Sequence, residues 1–284
     1  MFPHALVATD LSDASTRMLE CAGQLKTLGV ERVTLFHAET ALHTVGLDES
    51  LARADRPELE AQAGLLREQG YTVDLRVGRG IPWHAIVEAA REGKADLVVL
   101  ASHGHGALAE TVLGTTAGQV VEFAPCPVLV LRLSLLGEDG GRYCSLRFQH
   151  VLDRVVVPVD FSSHTIKAVG VVQDLGPRVA TAVLLHVNPP GLPEHGGAAP
   201  AEAFAEDDRG RLEGIAKTLR DAGCREVEIR IEAGDPRERI VAASEEATLL
   251  VLGSRGWTPW KELLLGSTAH AAVRHARCPV LLVR

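Results

Sequence analysis

Thr248-Leu249-Leu250-Val251-Leu252-Gly253-Ser254-Arg255-Gly256 is a short apolar run that breaks at a pair of glycines. Nine residues later the chain reads Gly266-Ser267-Thr268 and enters a helix-like stretch, Ala269 to Ala276. A strand that turns through glycines and ends at a helix start is a place to hold an anion, because the first amides of a helix have no intrahelical acceptor. A second copy stands 152 residues upstream, as Ala101-Ser102-His103-Gly104, nine residues, then Gly114-Thr115-Thr116.

The loops belong to a repeat of the whole chain. Leu6 to Ser12 (LVATDLS) matches Val157 to Ser162 (VPVDFS), and Leu35-Phe36-His37-Ala38 matches Leu184-Leu185-His186-Val187. Gly80-Ile81-Pro82 matches Gly234-Asp235-Pro236, Leu97 to Leu100 matches Leu249 to Leu252, and Cys126 to Arg132 matches Cys278 to Arg284. The offsets stay between 149 and 154 and the order is kept. A period this long means two whole domains rather than solenoid units. The expected division is 1–133 and 151–284. Residues 134–150 form a linker, since Leu133 to His150 holds Gly-Glu-Asp-Gly-Gly and no apolar period.

Strands and helices alternate in each half. The first half predicts strands at Ala5–Thr9, Arg32–Ala38, Thr72–Val77, Ala95–Ala101 and Pro127–Arg132. Between them it predicts helices at Ser12–Leu28, about Asp48–Gly70, Pro82–Glu92 and Gly114–Phe123, with Ser12 or Asp13 as the first cap. Alternation with short, mostly apolar strands implies an α/β fold, each domain a doubly wound, five-stranded, mostly parallel sheet with helices on both faces.

The chain has 284 residues, a formal charge of -8, 46% hydrophobic and 23% charged residues. That balance is ordinary for a soluble protein, and no Lys/Arg block marks a nucleic-acid binder. No apolar stretch approaches a membrane span and no basic n-region opens the chain, so a cytoplasmic location is expected. The five cysteines are odd in number and form no CxxC, which argues against a disulfide framework or a zinc site.

In open α/β sheets ligands sit beyond the carboxyl ends of the strands, where the strand order reverses. Asp10 and Asp160 end the first strand of each half, His37-Ala38 and His186-Val187 the second, and the glycine loops the fourth. Gly253 and Gly256 permit close approach to backbone, and the Ser267 and Thr268 amides open a helix. Asp160 can accept from ribose hydroxyls or hold a hydrated metal ion. The plainer alternative is that the glycines make turns and Ser267 caps a helix. The duplication and the matched aspartates weigh against it. His37 and His186 are expected to be packed or hydrogen-bonded. His103 and Arg255 lie inside the loops, where they either touch phosphate or merely occupy turns. Trp257 and Trp260 are expected to pack under the second loop.

No GxxxxGK[ST] occurs and no GxGxxG follows the first strand, so neither a Walker loop nor a Rossmann fingerprint is present. The G-x2-G-x9-G-[ST] pattern after the fourth strand, the Asp-Phe-Ser after the first and the Cys-Pro-Val last strand resemble the universal stress protein family. The resemblance covers both halves and implies a tandem member with an adenine nucleotide alpha hydrolase-like fold. It further implies that ATP, or AMP or another adenine nucleotide, is held by Asp160, Val187, Gly253, Gly256, Gly266, Ser267 and Thr268 in the second half. The matching first-half residues are Asp10, Ala38, Gly104, Gly114 and Thr115. Any Mg2+ would come on the phosphates. Ala101 stands where the pattern has a glycine. If that position needed positive φ the alanine would cost on the order of 1 kcal/mol, and for this reason the second site is ranked above the first.

The resemblance also implies that the last strands of the two domains pair as an intramolecular pseudo-dimer, with a homodimer as a further possibility. No nucleophile, base or carboxylate pair stands out near the loops. A regulatory ATP-binding protein with little or no hydrolysis is therefore expected. An adenylylating or hydrolysing enzyme and a non-nucleotide interaction module are the alternatives.

Overall fold

The computed structural model describes residues 1–39, 48–102, 113–131, 150–188, 201–254 and 265–284, except the side chains of 48–54 and 201–206. Its contacts divide the chain into two units, Met1–Gln149 and His150–Arg284. Most of the expected linker lies outside the described residues, as do Gly104, Gly256, His103, Arg255, Trp257 and Trp260.

Unit 1 has β1 (His4–Thr9), α1 (Asp13–Glu20), β2 (Arg32–Glu39), α2 (Asp48–Glu68), β3 (Thr72–Arg79), α3 (Pro82–Glu92), β4 (Leu97–Ala101), α4 (Thr115–Phe123) and β5 (Val128–Leu131). Its strands lie in the order β3-β2-β1-β4-β5, and each of these neighbours pairs in parallel. Right-handed crossovers therefore send α1 and α2 to one face and α3 and α4 to the other. The contacts of α1 with α2 and of α3 with α4 agree. The direction of winding reverses between β1 and β4.

Unit 2 repeats the design with β6 (Arg154–Pro158), α5 (Ser163–Leu175), β7 (Thr181–Asn188), α6 (Ala201–Asp221), β8 (Glu226–Ala233), α7 (Pro236–Ala243), β9 (Leu249–Gly253), α8 (Ser267–His275) and β10 (Val280–Val283). Its order is β8-β7-β6-β9-β10, so the reversal falls between β6 and β9. The central strands are buried on both faces: Leu97 to Val99 and Leu249 to Val251 are at most 1% exposed. Such strands carry no polar alternation.

The helix expected over Ser12–Leu28 is not continuous. It ends at Glu20 and the chain tightens into a 3-10 segment, Ala22–Leu28. The carbonyls of Leu19 and Ala22 accept instead from the Gln69 amide (2.8 Å) and the Tyr71 hydroxyl (2.6 Å). Cys126, Cys224 and Cys278 are free thiols. Cys21 is disulfide-bonded, so the lack of a framework does not mean the lack of a bridge.

Candidate functional site

The kink that follows each first strand is built from a few polar atoms. Asp10 Oδ1 accepts from the Ser12 N–H (3.1 Å), the Ser12 hydroxyl (2.5 Å) and the Ser15 hydroxyl (2.6 Å). Asp160 Oδ1 accepts from the Ser162 N–H (3.0 Å) and the Thr165 hydroxyl (2.5 Å). Ser12 and Ser162 then cap α1 and α5 by accepting from the amides of Ser15 and Thr165. Between aspartate and cap stand Leu11 and Phe161, with φ of 62° and 60°. Left-handed backbone is costly for side chains of this size. The same strained step in both units is a constraint that the aspartate turn and the cap enforce.

The end of each fourth strand is tied to the start of the next helix. The Gly114 N–H donates to the Ser102 carbonyl (2.9 Å), and the Ser102 N–H to Leu131 (2.7 Å). In unit 2, Gly266 donates to Ser254 (3.0 Å) and Ser254 to Val283 (2.8 Å). Gly114 and Gly266 are the N-caps of α4 and α8, and neither helix has a side-chain cap bond. Among the described residues these two helices, like α3, thus begin with amides that no capping side chain takes, unlike α1, α5 and α7. Gly114 has φ of -58°, and among the described residues a Cβ there would meet only the Ser102 carbonyl oxygen at 3.5 Å, an ordinary contact. Neither strain nor packing among the described residues demands a glycine there.

In unit 1 these parts face one cleft of about 540 Å³. Asp10, Ala38, Gly114 and Thr115 all line it, with Ile86 and Val120 among its apolar lining. Four of the five residues expected in the first half therefore share one cavity; Gly104 lies outside the described residues. In unit 2, Asp160, Val187, Gly253, Gly266, Ser267 and Thr268 hold the matching strand ends and helix start. Ser102 and Ser254, buried and identical in the two copies, are also part of this construction. So are Ser15 and Thr165. Aligning the two halves would have exposed both pairs, each a hydroxyl residue at the same step.

His37 and His186 pack under the same ends. Their Nδ1 atoms lie 3.0 Å and 2.7 Å from the carbonyls of Thr9 and Val159. A carbonyl only accepts, so Nδ1 carries the proton in both. Each Nε2 faces a carboxylate of the long helix: Asp55 at 3.7 Å and Asp208 at 3.4 Å.

Gly253 is not among the positive-φ residues. An added Cβ would instead stand 2.7 Å from the His164 Cβ and 2.8 Å from the His164 carbonyl carbon. The glycine is explained by the closeness of α5, so the conformational penalty expected at Ala101 has no counterpart here.

The family model described as the universal stress protein family matches residues 1–132 and 152–284. The chain belongs to the universal stress protein family. A universal stress protein of Thermus aquaticus is 35% identical over 142 residues, which is 46% of this chain and 100% of that protein. One of Mycolicibacterium smegmatis is 27% identical over 228 residues, 76% of this chain and 70% of that one. The crystal structure of a universal stress protein from Archaeoglobus fulgidus matches with a TM-score of 0.76 at 24% identity, covering 100% of this chain and 99% of that one. That likeness concerns the fold. The chain is thus a tandem universal stress protein with two copies of one α/β domain. No helix among the described residues is long and apolar enough to cross a membrane.

Proposed function

We propose that this universal stress protein binds an adenine nucleotide, ATP in the first instance, at the carboxyl ends of its strands. In this reading the nucleotide acts as a regulatory signal and is hydrolysed little or not at all. The observation that carries the reading is the unit 1 cleft, where Asp10, Ala38, Gly114 and Thr115 meet at the uncapped start of α4. Its apolar lining suits a base, its helix amides suit phosphate oxygens, and Asp10 suits ribose hydroxyls. The second site uses Asp160, Val187, Gly253, Gly256, Gly266, Ser267 and Thr268.

Magnesium on a nucleotide needs only one or two protein oxygens, because phosphates and water complete its shell. The Asp10 carboxylate and the Thr115 hydroxyl line the same cleft and fit that demand. Among the described residues no group of three or more His, Cys, Asp or Glu is placed to hold an ion by itself. The ion is therefore proposed to arrive with the nucleotide. The pairing of the last strands and a homodimer, which rest on the family resemblance, and a cytoplasmic setting, which rests on the sequence reading, complete the proposal.

Mass spectrometry of small molecules released from the purified, denatured chain tests the reading, together with calorimetric titration of Mg-ATP. An adenine nucleotide that is released, or titrates in with two sites, supports it. A nucleotide-free chain that gives no heat with Mg-ATP overturns it in favour of an interaction module. Rapid turnover, or transfer of the adenylyl group to an acceptor, would instead point to an enzyme.

A further inference from the structure

A second hollow, of about 490 Å³, opens onto the same Asp10 and His37 that line the unit 1 cleft. Its wall also carries Asp13, Asp55 and Glu58. Four carboxylates thus surround the point where the cleft meets the aspartate turn.

Unit 2 is built differently at the matching positions. The two long helices are brought into register by the His37–Asp55 and His186–Asp208 pairs. Three residues beyond each aspartate, just before the buried Leu59 and Leu212, stand Glu58 and Arg211. Asp13 is likewise matched by the neutral Ser163. The Arg211 guanidinium lies 3.7 Å from the centroid of the Phe161 ring, and that ring lies 4.9 Å from the His186 ring. Phe161 follows Asp160 directly in the strained step, so the stack holds a cation beside the second-site aspartate. Arg211 also pairs with Asp208 at 3.7 Å. Among the described residues, one aspartate turn shares a hollow with four carboxylates, its own included, whereas beside its copy stand Asp208 and a guanidinium held on the Phe161 ring.

We propose that the two sites differ in the charge of the nucleotide they accept, with Glu58 and Arg211 setting the difference. The first takes ATP only as its magnesium complex, and the second also takes the metal-free triphosphate. The inference rests on the nucleotide reading above and goes beyond it by giving the two copies distinct ligands. A metal-free triphosphate carries more negative charge than its magnesium complex, so the acidic field of unit 1 opposes it more strongly. At separations of about 10 Å and partial exposure, each charge reversal of two units is worth roughly a three- to tenfold change in Kd.

Calorimetric titrations at low ionic strength, with ATP in EDTA and with ATP in excess Mg2+, test this. Gly266→Lys leaves the first site as the one to be read, and Gly114→Lys leaves the second. Circular dichroism checks that each variant is folded. The expected result is a large gain in affinity with Mg2+ at the first site and a small one at the second. Glu58→Arg should strengthen metal-free binding at the first site three- to tenfold, while Arg211→Glu weakens it at the second by a similar factor. Arg211→Gln, which adds no carboxylate beside Asp208, should give a smaller loss in the same direction. Raising the salt should compress all these differences. Equal metal dependence at both sites, or metal-free affinities that ignore Glu58→Arg and Arg211→Gln, overturns the inference and leaves the nucleotide reading standing. An unmodified chain that binds no nucleotide in either condition overturns both.

Discussion

Gly253 and His164 approach so closely that a single added carbon on the glycine would stand 2.7 Å from the histidine Cβ. Strand β9 and helix α5 meet there with no room for a side chain. The matching pair in unit 1 is Ala101 and Ala14, with a methyl on each. The difference between the two loops at their first residue is thus one of helix-to-strand spacing.

Gly253→Ala should therefore destabilise unit 2, by about 1–3 kcal/mol for an overpacked contact. Urea unfolding followed by circular dichroism checks it. The reverse change, Ala101→Gly, should leave Mg-ATP affinity at the first site unaltered within twofold. A clear gain in affinity would restore the idea that this methyl blocks the ligand.

Asp10 and Asp160 carry both a turn and a charge, and the two can be separated. Asp160→Ala removes the acceptor for the Ser162 amide and the Thr165 hydroxyl, which should cost roughly 1–2 kcal/mol of stability. Asp160→Asn keeps an acceptor oxygen, so its stability should stay within about 0.5 kcal/mol of the parent. Its loss of charge should still weaken Mg-ATP binding at the second site. Equal nucleotide affinity in the parent and the Asn variant would restrict Asp160 to building the turn.

Gln62, 1% exposed, bridges two threonines: its Oε1 accepts from Thr9 (2.7 Å) and its Nε2 donates to Thr16 (2.9 Å). Unit 2 has Val159, Ile215 and Ile166 at these three places. Gln62→Ile alone takes the acceptor from the buried Thr9 hydroxyl and should cost about 1–3 kcal/mol. Adding Thr9→Val and Thr16→Ile should recover a large part of that loss. Thermal unfolding of the single and triple variants decides it.

His4 supplies a pH dependence with a defined sign. Its Nδ1 lies 3.0 Å from the Arg32 guanidinium, which only donates, so Nδ1 accepts and Nε2–H points to the Thr34 hydroxyl at 2.8 Å. Burial, aided by the Arg32 charge, lowers its pKa from 6.5. The unfolded chain then binds the proton more readily than the folded one. The stabilising contribution is full above 6.5 and is lost as the pH falls through the lower folded value. Unit 1 should unfold at less urea at pH 5 than at pH 7.5, and His4→Gln should flatten that difference.

The strand ends, the alternation and the duplication were legible because buried parallel strands leave apolar runs that glycine and aspartate punctuate. The alignment of Asp10 with Asp160 and of Gly114 with Gly266 followed from the same runs. The left-handed step at Leu11 and Phe161 was not legible, since neither residue type signals positive φ. The break at Cys21 was hidden because its cause, Gln69 and Tyr71, lies about 50 residues away in the chain. The contrast between Glu58 and Arg211 emerged once the histidine–aspartate pairs had fixed the helix register. On a polar helix face their residue types alone carry no such signal.

The bond from Gly114 to the Ser102 carbonyl, repeated from Gly266 to Ser254, closes each loop at its neck. What lies between the ends can change in length at small entropic expense, about 0.6 kcal/mol for each doubling. The strand below and the helix beyond need not shift in response. Each of these bonds forms a fixed socket between strand and helix, and this chain carries two of them. A change in one copy therefore leaves the other as it is, a latitude that a single-domain relative lacks.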